Sequence, residues 1–89
     1  VINTKHLAEL AERMVSIKEP KLMESFLKTI LTPKELDEVA SRLQILKMLK
    51  DGVSQRKIAS TLGVSIGTIS RGSREIQYGD QKIVNFIGI

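Results

Sequence analysis

Apolar positions recur with helical spacing along most of the chain. Leu7, Leu10, Ala11, Met14 and Val15 follow i, i+3, i+4, i+7 and i+8, the stripe of a first helix running to about Lys18. Pro20 suits the first turn of a second helix, where its missing N–H costs nothing. Leu22, Met23, Phe26, Leu27, Ile30 and Leu31 supply the apolar side of that helix. Thr32-Pro33-Lys34-Glu35 then reads as a capping box with proline at the first helical position: Thr32 caps backbone N–H groups and Glu35 reaches back. The third helix runs to about Lys50 and stops at Asp51-Gly52, because Gly52 can take the left-handed conformation. Leu36, Val39, Ala40, Leu43 and Leu46 make one stripe on it, while Ile45 and Met48 lie near the opposite side. A helix apolar on two sides is buried on two, and in so short a chain the second side is most simply another subunit.

The pattern changes after Gly52. Residues 54–77 hold two short helices around a glycine turn: Ser54 caps the first, whose inner face is Ile58, Ala59 and Leu62, and Gly63 ends it. Val64-Ser65 turns into a second helix, capped by Ser65, with Ile69 and Ile76 facing inward. A small residue at the crossing (Ala59), a residue able to reach positive φ in the turn (Gly63) and apolar plugs at 58, 62, 64 and 69 form the helix-turn-helix pattern of DNA-binding domains. A plain helical hairpin needs none of these in register. The outer face of the second helix offers Ser65, Ile66, Gly67, Thr68 and Ser70, small or hydroxylated groups that let backbone approach a groove. An ordinary surface helix would carry more Glu and Lys there. Gln55, Arg56 and Lys57 at the start of the first helix are placed for phosphate or guanine edges. Tyr78-Gly79 closes this region, and Asp80 can cap a last short helix whose Ile83, Phe86 and Ile87 should pack on a partner subunit.

Charge sharpens this division. The chain of 89 residues carries a net +4, but residues 1–40 hold six Lys/Arg against seven Asp/Glu. Residues 41–79 hold seven against two, so the basic segment is the one containing the helix-turn-helix, and it calls for an anionic partner. The length allows one domain, 1–89, with 1–50 mainly dimerisation helices, 54–77 the helix-turn-helix and 80–89 a C-terminal dimerisation helix. Without cysteine there is no disulfide framework, thiolate metal site or thiol nucleophile, and a reducing cytoplasm is the expected setting. No apolar run approaches the roughly 20 residues of a membrane span, and no signal-peptide pattern opens the chain. The start at Val1 rather than Met suggests a trimmed product.

Catalysis finds little support. His6 is the single histidine, in what reads as a loose N-terminal segment, with no partners at metal-ligand spacing. The carboxylates fall on polar helix faces, where no pocket for acid–base chemistry can be built. Met14, Met23 and Met48 read as core filling. Neither an enzyme nor a cofactor is expected.

Several groups of residues resemble the tryptophan (Trp) repressor family. They are Leu31-Thr32-Pro33, Ser41-Arg42 with Gly52 ten residues on, Ser54-Gln55-Arg56, and Ile69-Ser70-Arg71-Gly72-Ser73, covering about residues 29–79. A generic helix-turn-helix has no need of Arg-Gly-Ser in its second helix. The resemblance implies an all-α fold of six short helices in an intertwined homodimer. It also implies that the dimer binds L-tryptophan as corepressor and then double-stranded DNA at an operator near genes of tryptophan synthesis or uptake. The indole would slot between Arg42 and Arg71, drawn from different subunits, since flat guanidinium groups stack on aromatic faces. Thr32 and Arg71 would hold the carboxylate, backbone carbonyls near Thr29 and Leu31 would meet the ammonium, and Gly72 would leave room for the ring.

Three positions depart from the family. Glu75 stands where a serine often helps hold the ammonium, Ala59 replaces a lysine near the DNA, and the turn Gly52-Val53-Ser54 is a residue shorter. Glu75 can pair with the ammonium or close on Arg71. The competing readings are a relative of the same fold that ignores tryptophan, the DNA-binding piece of a recombinase or transposase, and a helical protein-interaction module.

Overall fold

A computed structural model describes residues 2–88; Val1 and Ile89, the ends of the two segments expected to dimerise, lie outside the described residues. Six helices follow in order: α1 (Thr4–Ser16), α2 (Pro20–Ile30), α3 (Pro33–Lys50), α4 (Gln55–Leu62), α5 (Ile66–Tyr78) and α6 (Gln81–Ile87). The described residues contain no strand, so the all-α expectation holds. The chain divides into two compact units, Val1–Leu36 and Asp37–Ile89, and α3 begins in the first and continues through the second.

In the first unit local chemistry sets the helix starts. Asn3 accepts from the His6 backbone N–H at 3.0 Å, so α1 begins at Thr4 and His6 sits in its first turn rather than in a loose segment. Pro20 opens α2. The capping box forms as read: the Thr32 N–H donates to Glu35 Oε1 at 2.9 Å and the Glu35 N–H donates to Thr32 Oγ1 at 3.2 Å. The Thr32 backbone N–H, and after it the Thr32 side chain, hold the Glu35 carboxyl below its ordinary range. No residue of α1 or α2 is buried, and Leu7, Val15, Leu22 and Ile30 are exposed.

The second unit has a core. Ile45 of α3, Ile58 of α4 and Ile69 of α5 are buried together, with Met48, Leu49, Val53, Ala59, Leu62 and Val64 packed around them. This corrects the expected use of α3. Ile45 and Met48, assigned above to a partner subunit, face the chain's own helix-turn-helix, whereas Val39 and Leu43 of the longer stripe stay 47% and 46% exposed. The cause is the end of α3. The Gly52 N–H donates to the Leu49 carbonyl and the Val53 N–H to the Met48 carbonyl, both at 3.0 Å, with Gly52 at φ +81°. That Schellman closure reverses the chain so that Val53 and α4 return over the Ile45–Met48–Leu49 side.

Downstream, Asp80 caps α6 through Lys82 N–H at 2.9 Å. Val84, which the apolar spacing did not single out, is the α6 residue turned inward; Ile83 and Phe86 are exposed and Ile87 is half-buried. Among the described residues no helix is long and apolar enough to cross a membrane.

Candidate ligand cavity and nucleic-acid interface

The helix-turn-helix is built by two serine caps and one glycine. Ser54 Oγ accepts from the Lys57 N–H at 3.2 Å and starts α4 at Gln55. Gly63 ends α4 at φ +67°, a conformation that costs an L side chain free energy. Ser65 Oγ then accepts from the Thr68 N–H at 3.2 Å and lies 2.9 Å from Thr68 Oγ1, starting α5. With Ile69 turned into the core, Ile66, Gly67, Thr68 and Ser70 are left exposed on α5, as the pattern predicted. Arg56 and Lys57 are exposed in the first turn of α4. Gln55 is half-buried, and Ser70 Oγ donates to its Oε1 at 3.3 Å, tying α5 to the start of α4.

Behind this surface lies a cavity of about 460 Å³. Its apolar floor is Ile45 and Leu46 of α3 with Gly72 of α5, and Arg42, Arg71 and Glu75 bring its charges. Ser65, Gly67 and Thr68 complete the lining, so the first turn of α5 borders both the cavity and the outer surface. Arg42 and Arg71 therefore line one cavity of a single chain, whereas the resemblance implied arginines drawn from different subunits. The reason is the close packing of α3 on α5. A Cβ on Gly72 would lie 3.2 Å from Ile45 Cγ2 and 3.3 Å from Leu49 Cδ1, so the bare glycine lets the two helices approach, beyond any room it leaves for a ligand. Ile45 and Leu46 were not singled out as site residues. Their spacing, three and four positions after Arg42, puts them on its face of α3 and would have found them.

Thr29, Leu31 and Thr32 belong to the first unit. There Thr29 Oγ1 donates to the Ser25 carbonyl at 2.8 Å, Leu31 ends α2 with its N–H on the Leu27 carbonyl, and Thr32 serves the capping box. Among the described residues no group of three or more His, Cys, Asp or Glu could hold a metal ion.

Residues 5–88 match the model of the Trp repressor protein family. The chain belongs to the Trp repressor family. It is similar to a Trp operon repressor homolog of Photobacterium profundum, 47% identical over 53 residues, which cover 58% of this chain and 52% of that protein. A Trp operon repressor homolog of Chlamydia caviae is 35% identical over 80 residues, 89% of this chain and 79% of the relative. The uncharacterized protein YerC of Bacillus subtilis is 33% identical over 76 residues, 85% and 73% of the two chains. Against the Photobacterium and Vibrio vulnificus homologs the chain spans only 52–59% of the relative's length. No solved structure matches it. The Trp repressor family is one of DNA-binding regulators rather than enzymes. Glu75, the departure from the family noted above, lines the same cavity as both arginines.

Proposed function

We propose that this protein is a homodimeric transcriptional repressor that takes L-tryptophan into the cavity between α3 and α5 and then binds an operator in double-stranded DNA. The observation carrying the ligand is the joint lining of one cavity by two guanidinium groups, a carboxylate and an apolar floor. A flat aromatic amino acid has the matching parts. Its ring stacks on guanidinium planes, its carboxylate takes a charge-assisted bond from Arg71, and its ammonium meets Glu75. At about 460 Å³ the space falls within the range of ordinary small-molecule sites. Family membership, the exposed Arg56 and Lys57 of α4 and the small-residue face of α5 support the DNA partner.

The dimer is supported by what the single chain leaves uncovered. A unit of 36 residues with no buried residue in its two complete helices has no core of its own, and chains that short seldom fold without outside contacts. Exposed Val39, Leu43, Ile83 and Phe86 offer further apolar surface. The mechanism is a population shift. Ser65, Gly67 and Thr68 line the cavity, so a ligand there changes the free energy of α5 positions and favours the spacing that fits successive major grooves. For helix-turn-helix dimers, the Trp repressors among them, that spacing is about 34–36 Å.

The test uses the absence of tryptophan from the chain: with no protein indole, fluorescence excited selectively at the indole during a titration reports only the added ligand. Binding in the micromolar range, its loss in Arg71→Ala with the dimer intact, and tighter operator binding at fixed salt are the expected results. If tryptophan leaves DNA binding unchanged, the corepressor role fails. That outcome would favour the one specific competitor, a relative of the same fold in which Glu75 occupies Arg71 and excludes the ligand's carboxylate.

A further inference from the structure

The bond between Ser70 and Gln55 has chemical consequences for both partners. A serine hydroxyl has one proton to give and two lone pairs to receive with. Ser70 spends its proton on Gln55 Oε1, 3.3 Å away across the two helices. The Ser70 oxygen, exposed on the outer face of α5, is thereby left as an acceptor. Gln55 receives that proton on its carbonyl, so its Nε2, a donor, is left for a partner outside the pair, next in sequence to the exposed Arg56 and Lys57.

In the major groove this polarity distinguishes bases. Adenine and cytosine present amino donors, N6 and N4, where guanine and thymine present the acceptors O6 and O4; the N7 acceptor is common to both purines. A free serine hydroxyl can turn to either kind and carries little information. We infer that Ser70 is a specificity-determining residue whose proton is committed in advance to Gln55, so that it selects adenine or cytosine at one position of each half-site. Gln55 acts in two ways: as the positioning residue that takes the Ser70 proton, and as a donor to a phosphate oxygen of the backbone, which the first helix of a helix-turn-helix crosses. The inference rests on the DNA-binding reading above but requires nothing of tryptophan. The discrimination should amount to about three- to tenfold, the worth of one ordinary hydrogen bond made or lost.

The experiment is selection from randomised duplexes with the full chain, repeated with Ser70→Ala, Gln55→Ala and Gln55→Glu, each variant first checked for native helicity. The wild type should enrich adenine or cytosine at one position per half-site. Ser70→Ala and Gln55→Ala should both flatten that position among the four bases and leave the other positions unchanged. Gln55→Glu separates the two roles of Gln55. Its carboxylate still accepts the Ser70 proton, so the base preference should survive, while affinity for every sequence falls as a negative charge faces the phosphates. A Ser70-dependent preference for guanine or thymine, or an unaltered preference in Gln55→Ala, overturns the inference while the DNA-binding reading stands. Failure of every duplex to bind overturns both.

Discussion

Glu35 shows how much a single exposed side chain can settle. Its carboxylate receives the Thr32 N–H and lies at the start of α3, where negative charge is favoured by the helix dipole. Because the folded carboxyl is held below its ordinary range, its contribution is complete above the unfolded pKa and disappears as pH falls through the folded one. Thermal melts of wild type and Glu35→Gln between neutral pH and pH 3 should therefore converge in acid, the glutamine being unable to titrate. Parallel curves would remove the capping box from the stability of α3. Gly72 makes a different point at the same scale. Its Cβ would press on Ile45 and Leu49 at 3.2–3.3 Å, so Gly72→Ala should cost about 1–3 kcal/mol by overpacking and weaken tryptophan binding in the adjoining cavity. Thr32, Glu35 and the caps Ser54 and Ser65 were legible in the sequence because each acts within three residues of itself. The packing role of Gly72 was not, because its neighbours lie more than twenty residues away along the chain.

Among the elements, α3 and the α4–α5 turn carry the lesson in opposite directions. The turn is local: Gly63 has no atom within 4 Å of where a Cβ would stand, so Gly63→Ala should cost only the left-handed backbone penalty, about 1 kcal/mol. A melting temperature lower by about 4–8 °C, with DNA contacts otherwise retained, would check it. A much larger loss would mean that the turn is held by packing instead. For α3, by contrast, both sides were recognised as apolar, but the side expected to meet another subunit is the one this chain covers itself. Periodicity reports that a face is apolar and cannot say which partner covers it. The Schellman closure at Gly52 decides that, by sending α4 back over Ile45 and Met48. In α6 the same ambiguity hid Val84, a single inward position in a helix too short for its period to be resolved.

For the whole molecule, the faces the chain leaves open bear on how it assembles. Leu43, 46% exposed, and Phe86, 69% exposed, belong to helices whose inner sides are already occupied by Ile45 and Val84. Leu43→Glu or Phe86→Asp should shift the protein from dimer to monomer by sedimentation and weaken operator binding at least tenfold, since two half-sites can no longer be engaged together. A dimer that survives both changes would move the interface elsewhere.

The sequence by itself determined the number of helices, most of their ends and the helix-turn-helix, because caps, prolines and left-handed glycines act over three or four residues. Arg42, Arg71 and Glu75 were singled out only through the resemblance of its motifs to a known family. Only the tertiary structure decided which side of α3 the chain keeps for itself, that both arginines line one cavity with Ile45 and Leu46 beneath them, and that Ser70 gives its proton to Gln55. Those outcomes depend on contacts between residues far apart along the chain. Their geometry is set by how helices pack, which no local pattern contains.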